Sequence, residues 1–175
     1  MTNICVIPAR GGSRRIPKKN IKFFHGKPII AYSIETAKAS GLFAEIYVST
    51  DDLEIANIAA QCGAKVHKRS SELAQDHIGT QEVVTEIACE LEFQWGFICC
   101  LYATAPLITT ERLRDSYLVI ADDYEPAYVV AVGTEPLRDA GAFYWGRTKC
   151  YKEDWALYWT NTHLFPLDER EVSDI

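Results

Sequence analysis

The sequence lacks the features that define several protein classes. No apolar run approaches the length of a membrane span. The six cysteines form no C-x-x-C pair and show no spacing to histidine that is typical of zinc sites, and a reducing compartment is their simplest setting. We interpret the adjacent Cys99 and Cys100 as small core residues. The motifs G-x-x-x-x-G-K-S/T and G-x-G-x-x-G are both absent, which argues against a P-loop NTPase and against a dehydrogenase-type dinucleotide fold.

Positive charge is also scarce in the chain as a whole. The 18 Lys and Arg residues are outnumbered by 24 Asp and Glu residues, which gives a net charge of -6. This balance argues against non-specific binding of nucleic acid. The first apolar strand begins almost at Met1 and leaves no room for a signal peptide, so we predict a cytoplasmic protein with neither a nucleic-acid nor a membrane partner.

A length of 175 residues with 48% hydrophobic content fits one well-buried domain that spans residues 1–175. Strand patterns alternate with helical patterns, such as Ile30 and Ile34 on one helix face, which predicts an α/β fold of three layers: a mostly parallel sheet with helices on both faces. Asp51 is expected to cap the second helix, with Glu54 three residues later. The predicted strands are 4–7, 46–48, a short strand around 66, 97–102, 127–132 and 141–145.

The segment after the first strand combines glycine with clustered cations. Gly-Gly-Ser at 11–13 leaves backbone amides accessible to an anion, and the cations neutralise charge that amides alone cannot hold. Because the chain is acidic overall, the cluster is a local site, and its matching ligand is a polyphosphate. A solvated basic loop between strand and helix is the alternative interpretation. The cations are Arg10, Arg14, Arg15, Lys18 and Lys19.

Two further loops follow predicted strands and should meet the first loop at the carboxyl edge of the sheet, where ligands bind in such folds. One loop contains Arg69 and the residues from Asp76 to Thr80, and the other is Tyr-Ala-Thr-Ala-Pro at 102–106. For the second loop, a rigid strand-to-helix turn before Thr110 is an equally simple interpretation.

With these segments in order, the chain resembles the acylneuraminate cytidylyltransferase family, whose members activate nine-carbon keto-sugar acids as CMP-sugars. Within that family it is most similar to the pseudaminic acid branch, because Tyr102 stands where N-acetylneuraminate enzymes tend to have glutamine. The resemblance implies a nucleotide-diphospho-sugar-transferase-like, Rossmann-like fold, with CTP and a nine-carbon keto-sugar acid as substrates and Mg²⁺ as cofactor. The residues that carry it are PARGGSRRIPKKN at 8–20, VSTDD at 48–52, Arg69, the loop from Asp76 to Thr80, YATAP at 102–106, DAGAFYWG at 139–146 and VSDI at 172–175.

The resemblance also implies roles for individual residues. Arg10 and Lys19 match positions that grip the triphosphate and are expected to be catalytic, whereas Arg15 and Lys18 are expected to be solvated. Asp174 matches a metal ligand. The expected nucleotide-binding residues are Ala9, Arg10, Gly11, Gly12, Ser13, Arg14, Lys19, Asn20, Arg69, Asp76 and Thr80. The expected substrate-binding residues are Tyr102, Thr104, Ala105, Asp139 and Phe143.

The chain departs from the family pattern at two places. Between Val132 and Asp139, relatives usually carry a few dozen more residues, in an element that pairs with a second subunit and covers the sugar pocket. A homodimer is therefore expected for the family but stays open for this chain. Relatives also continue past the terminal motif with a second metal-binding aspartate, so here Asp174 is expected to be the single carboxylate ligand.

Three other functions are compatible with parts of this pattern. The same reaction could use N-acetylneuraminic acid instead of pseudaminic acid. A nucleotide-binding remnant could hold CTP without turnover, because the metal and sugar sites are incomplete. A redox Rossmann enzyme would need a ribose-binding acid after the second strand, for which only Asp51 is available.

Overall fold

The computed structural model describes residues 2–13, 15–91, 96–122, 127–158 and 161–172. A short 3₁₀ turn at Lys19–Ile21 follows the first strand. In chain order the strands and helices are β1 (Ile4–Pro8), β2 (Phe23–Phe24), β3 (Lys27–Pro28), α1 (Ile29–Ser40), β4 (Glu45–Thr50), α2 (Leu53–Gln61), β5 (Lys65–Lys68), α3 (Thr80–Glu90), β6 (Phe97–Leu101), α4 (Thr110–Asp122), β7 (Tyr128–Thr134), β8 (Leu137–Arg147), α5 (Thr148–Lys152) and β9 (Thr162–Pro166).

Seven strands form one sheet in the order β5-β4-β1-β6-β8-β7-β9. The pairs β1–β4, β1–β6, β4–β5 and β7–β9 are parallel. Among the described strands of this sheet, only β8 runs antiparallel to its neighbours, β6 and β7, and the separate pair β2–β3 is also antiparallel. The predicted α/β fold with a mostly parallel sheet is therefore confirmed.

Helices cover both faces of the sheet, as the sequence predicts. Helices α1, α2 and α4 contribute to one apolar cluster, where Ile30 and Ile34 are fully buried. Helices α3 and α5 contribute to a second cluster on the opposite face. The adjacent residues Cys99 and Cys100 of β6 belong to different clusters because successive strand side chains alternate between faces. All six cysteines are free thiols, in agreement with the absence of a pairing pattern.

The predicted cap of α2 is wrong by one residue. The carboxylate of Asp52, not Asp51, accepts the backbone N–H groups of Glu54 at 2.8 Å and Ile55 at 3.1 Å. Asp52 has the extended backbone conformation of a helix N-cap. Asp51 instead accepts the backbone N–H of Gly11 at 2.9 Å, so it ties the loop after β1 to the end of β4.

The sequence patterns missed the shortest and most polar strands. β2 and β3 contain two residues each, too few to show any periodicity. β9 has only Phe165 fully inside the core and lies at the sheet edge beside β7. None of the described helices combines the length and apolarity that a membrane crossing requires.

Candidate active site

The carboxyl ends of β1, β4, β5 and β6 meet at one edge of the sheet. From β1 the sheet extends to β4 on one side and to β6 on the other, which makes this edge a topological switch point. A cavity of about 200 Å³, the edge cavity, opens there. It is lined by Pro8, Arg10, Ser13, Lys19, Asn20, Arg69, Ile78, Gly79, Thr80, Val83, Tyr102, Ala103 and Thr104.

The loop after β1 is fixed from both sides. The Ala9 N–H donates to the Ser49 carbonyl at 2.9 Å, which extends the β1–β4 ladder by one residue. The buried Asn20 donates its side-chain amide to the Arg10 carbonyl at 2.9 Å. Because these bonds and the Gly11–Asp51 bond hold the backbone, the loop is preorganised before any ligand arrives.

The close contact between the loop after β1 and the Asp52 side chain requires a glycine at position 11. A Cβ at this position would lie 2.7 Å from Oδ2 and 2.8 Å from Cβ of Asp52, whose side chain is held by its capping bonds. A Cβ at Gly12 would meet no atom within 4 Å.

We therefore expect Gly11→Ala to destabilise the protein by about 1–3 kcal/mol, because neither the loop nor the capped aspartate can move freely. Gly12→Ala, the matched control, should leave the unfolding midpoint unchanged. Thermal or urea unfolding of both variants tests this. Equal stability of the two variants would show that the loop yields to the added methyl group.

Arg10 projects across the edge cavity towards the loop between β5 and α3. Its Nη1 donates to the Asp76 carboxylate at 2.5 Å and to the Ala74 carbonyl at 3.4 Å. Both charged side chains are about one-third exposed, so a multiply charged anion can reach Arg10 and compete with Asp76. Arg15, Lys19 and Ser13 line a depression beside this pair.

Arg69 places a second positive charge deep in the edge cavity. Its Nη2 donates to the Ser49 carbonyl at 2.9 Å and its Nε to the Ser49 hydroxyl at 3.2 Å. Burial lowers the pKa of the Arg69 guanidinium, but an arginine keeps its charge at neutral pH. Within the described part of the chain, no carboxylate forms an ion pair with Arg69, so its charge is available to an anionic ligand.

The other cations of the loop are placed differently. Lys18 is exposed and pairs with Asp52 at 3.3 Å and Glu54 at 2.7 Å, outside the edge cavity. Arg15 is exposed at the rim. Arg14, expected to bind nucleotide, and Asp174, expected to bind metal, lie outside the described residues.

Two residues that line the edge cavity, Thr80 and Tyr102, form a hydroxyl wall, and the buried Tyr144 lies behind it. The Tyr144 hydroxyl donates to Oγ1 of Thr80 at 3.0 Å, and the Tyr102 hydroxyl lies 3.4 Å from the same atom. Burial raises the pKa of Tyr102, so its phenol stays neutral and can both donate and accept at neutral pH. Thr80 is the first residue of α3, so the positive end of that helix also faces the cavity.

A carboxylate lies near this hydroxyl wall. Asp139 accepts the Gly141 N–H at 2.7 Å and the Tyr158 hydroxyl at 2.8 Å. The Tyr102 N–H donates at 2.9 Å to the carbonyl of Ala142, three residues after Asp139 on β8, so Asp139 and Tyr102 lie in the same region. The charge of Asp139 adds to the effect of burial in raising the pKa of Tyr102. Gly141 has a positive φ of 59°, which allows the tight turn around the Asp139 carboxylate.

Phe143, which was expected to bind the substrate, does not line the edge cavity. Phe143 is 2% exposed and packs on Phe165 in the core. Its neighbour Tyr144 points to the opposite face because strand side chains alternate. Since Tyr144 pairs directly with Cys100, two residues before Tyr102, the strand alternation could have indicated it.

The structure brings together most of the other expected residues. Ala9 and Ala105 are buried and are not among the residues that line the edge cavity. Gly12 and Asp76 line an adjoining depression with Arg10. Tyr158 was missed because it is distant in sequence from every motif. The expected residues that line the edge cavity are Arg10, Ser13, Lys19, Asn20, Arg69, Thr80, Tyr102 and Thr104.

Comparison with known proteins identifies relatives over the whole chain. The chain is 36% identical over 211 aligned residues to the pseudaminic acid cytidylyltransferase of Campylobacter jejuni, with 100% of this chain and 91% of that protein covered. It is 38% identical over 126 residues to N-acylneuraminate cytidylyltransferase A of Danio rerio, which covers 71% of this chain and 29% of the relative.

The fold has known counterparts as well. The structure of CMP:2-keto-3-deoxy-manno-octonic acid synthetase complexed with CTP superposes with a TM-score of 0.79 at 18% identity, over 95% of this chain and 90% of that chain. At this identity the similarity shows a shared fold. The sequence profile of the cytidylyltransferase family matches residues 4–164. The chain therefore belongs to the cytidylyltransferase family.

Proposed function

We propose that this protein transfers CMP from CTP to a nine-carbon keto-sugar acid, pseudaminic acid or a close relative, and releases pyrophosphate. The observation that carries the proposal is the meeting of Arg10, Lys19 and Arg69 in one cavity at the switch point of the sheet. The similarity to a pseudaminic acid cytidylyltransferase over the full chain supports the choice of substrates.

In this reaction a sugar hydroxyl attacks the α-phosphorus of CTP, and pyrophosphate leaves. Catalysis of this kind depends mainly on positioning and on neutralising charge. Arg10 and Lys19 would hold the triphosphate, supported by amides of the loop at 11–13. Arg69 and Thr80 would contact the cytidine, which they can reach because both line the same cavity.

The sugar acid would bind beside the hydroxyl wall. Tyr102 and Thr104 line the edge cavity there, and Asp139 lies close by. The buried Tyr144 would support this set from behind, because its hydroxyl donates to Oγ1 of Thr80, which lines the cavity. A neutral tyrosine hydroxyl suits the hydroxyl and amide groups of a sugar acid, since it can donate and accept.

Mg²⁺ is the proposed cofactor, and its chemistry would be to neutralise charge on the leaving pyrophosphate. None of the described residues that line the edge cavity carries a carboxylate. Of the carboxylates next to the loop, Asp76 pairs with Arg10, and Asp51 accepts the Gly11 amide. The protein's contribution would therefore come from Asp174, with oxygens of CTP and water completing the coordination.

If Asp174 holds the ion, Asp174→Asn should raise the Mg²⁺ concentration needed for half-maximal activity by about tenfold, because one anionic oxygen ligand is lost. Asp168→Asn is the matched control, since Asp168 is an exposed aspartate paired with Arg170. An activity titration against Mg²⁺ for both variants tests this. An unchanged midpoint in Asp174→Asn would remove that residue from the metal site.

The domain organisation is also a proposal. Strands β7 and β8 are joined by residues 135 and 136 alone. The alignment with the Campylobacter jejuni protein has 211 positions, more than the 175 residues of this chain, so gaps fall within this chain. We propose that residues 1–175 form one catalytic domain without the subunit-pairing element of the family.

Two measurements on the purified protein test the proposed function. Isothermal titration measures CTP binding, and a pyrophosphate-release assay measures turnover with pseudaminic acid and, separately, with N-acetylneuraminic acid. We expect CTP binding, and pyrophosphate release that depends on the sugar acid and is faster with pseudaminic acid. Binding without release would identify a nucleotide-binding remnant, and faster release with N-acetylneuraminic acid would reverse the substrate assignment.

A further inference from the structure

A series of hydrogen bonds runs from Arg69 in the edge cavity, through Ser49 and His67, to Glu90 at the end of α3. It begins at Arg69, whose Nε donates to the Ser49 hydroxyl at 3.2 Å. The same hydroxyl lies 3.1 Å from Nδ1 of His67, and Nε2 of His67 lies 2.9 Å from the Glu90 carboxylate. Ser49 is fully buried, and the His67 side chain is only 11% exposed, so water cannot readily replace these partners.

Each hydrogen bond of this series has one possible donor and one possible acceptor when His67 is neutral. A carboxylate only accepts, so Nε2 of His67 carries the proton that it shares with Glu90. In the neutral imidazole Nδ1 is then an acceptor, and the Ser49 hydroxyl donates to it. The lone pairs of the Ser49 oxygen remain for the Arg69 N–H. Bonds aligned in this way polarise and strengthen one another.

A second carboxylate, that of Glu86, also lies close to His67. One of its carboxylate oxygens is buried and has no hydrogen-bond partner among the described residues, and it lies 3.8 Å from Nε2 of His67. Burial raises the pKa of Glu86, while His67 and Arg69 lower it. Glu86 and Glu90 are one turn apart on α3, so both carboxylates flank the imidazole and hold it in place.

We propose that His67 is a positioning residue that orients the Arg69 guanidinium towards the nucleotide by fixing the Ser49 hydroxyl. This inference rests on the proposed function, because it takes CTP as the ligand of the edge cavity. His67 makes no contact with the cavity itself. Its effect should therefore be on CTP affinity, with little effect on the sugar acid or on the chemical step.

Two substitutions of His67 separate positioning from general support of the fold. In His67→Asn the amide oxygen can replace Nδ1 as acceptor from Ser49, whereas in His67→Gln the longer amide can replace Nε2 and reach Glu90 but not Ser49. We expect His67→Gln to raise the Kd and the KM for CTP by about three- to tenfold, the size of one lost hydrogen bond. His67→Asn should stay within about twofold of the wild type.

Ser49→Ala and the double variant Ser49→Ala/His67→Gln complete a thermodynamic cycle. If His67 acts through Ser49, His67→Gln should have no further effect on CTP affinity once the hydroxyl is absent. His163→Gln is the matched control. His163 is exposed on β9, and β9 and β5 are the two outermost strands of the sheet, so this variant should bind CTP as the wild type does.

The measurements are the Kd for CTP, kcat, the KM for each substrate and the unfolding midpoint. Three results together would support the proposal. His67→Gln loses CTP affinity, His67→Asn binds CTP as the wild type does, and the effects of His67→Gln and Ser49→Ala are not additive. The proposal would be overturned if both His67 variants lost CTP affinity equally and in proportion to their loss of stability. Additive effects in the cycle would also overturn it. Failure of the wild type to bind CTP would instead reject the proposed function.

Discussion

Replacing Arg10 with alanine is expected to weaken CTP binding by about 1.5–3 kcal/mol and to reduce turnover to near zero, because a charge-assisted contact to the triphosphate is lost. That energy corresponds to roughly ten- to a hundredfold in the Kd. The substitution also leaves Asp76, the present partner of Arg10, facing the incoming phosphates. Isothermal titration with CTP and the pyrophosphate-release assay measure the two effects.

Lys22→Ala is the matched control for Arg10→Ala. Lys22 is an exposed cation of the same segment and is not among the residues that line the edge cavity, so its loss should leave the Kd unchanged. The cost of Arg10→Ala should shrink as salt is added, because the Arg10 side chain is partly exposed. Wild-type CTP affinity in a folded Arg10→Ala protein would remove this residue from the phosphate site.

Tyr102→Gln is expected to change which keto-sugar acid is used. Tyr102, in the loop after β6, lies beside Thr80, whereas Arg10 lies in the loop after β1, so the loss of Tyr102 should alter the sugar subsite and leave the phosphate contacts in place. The Kd for CTP should stay within about tenfold of the wild type, or ~1.4 kcal/mol. The ratio of kcat/KM for pseudaminic acid to that for N-acetylneuraminic acid is the measurement, and it should fall.

Tyr102→Phe separates the hydroxyl group from the ring. It keeps the edge-to-face contact with Tyr144 and removes only the polar atom. If the hydroxyl recognises the sugar acid, the Phe variant should lose kcat/KM for pseudaminic acid while binding CTP as before. Loss of CTP binding in both variants, with the sugar preference unchanged, would show that Tyr102 serves the nucleotide side instead.

Patterns of residues close together in sequence were enough to predict the α/β architecture and the position of the candidate site. The spacing of Ile30 and Ile34 predicts the buried face of α1, and both side chains are fully buried. The glycine-rich cationic loop after β1 predicts where the edge cavity lies, because such loops gather at the carboxyl ends of parallel strands. These features depend on residues that are near one another in sequence.

Features that depend on distant residues could not be predicted in the same way. Asp51 and Asp52 are equally good helix caps by residue type, and only the position of Gly11 in space assigns one to the loop and the other to α2. Likewise the choice between Phe143 and Tyr144 depends on the register of β8 against β6. A register change of one residue would place Phe143, instead of Tyr144, on the face of the sheet where Thr80 lies.

The most direct measurement is to follow the α-phosphorus of CTP. The protein is incubated with CTP labelled at the α-phosphate, pseudaminic acid and Mg²⁺, and the products are separated by chromatography. The label should appear in a CMP-sugar, with one unlabelled pyrophosphate released for each CMP-sugar formed. Label that remains in CTP, or that appears only as free CMP whether or not the sugar acid is present, would contradict the proposed transfer of CMP.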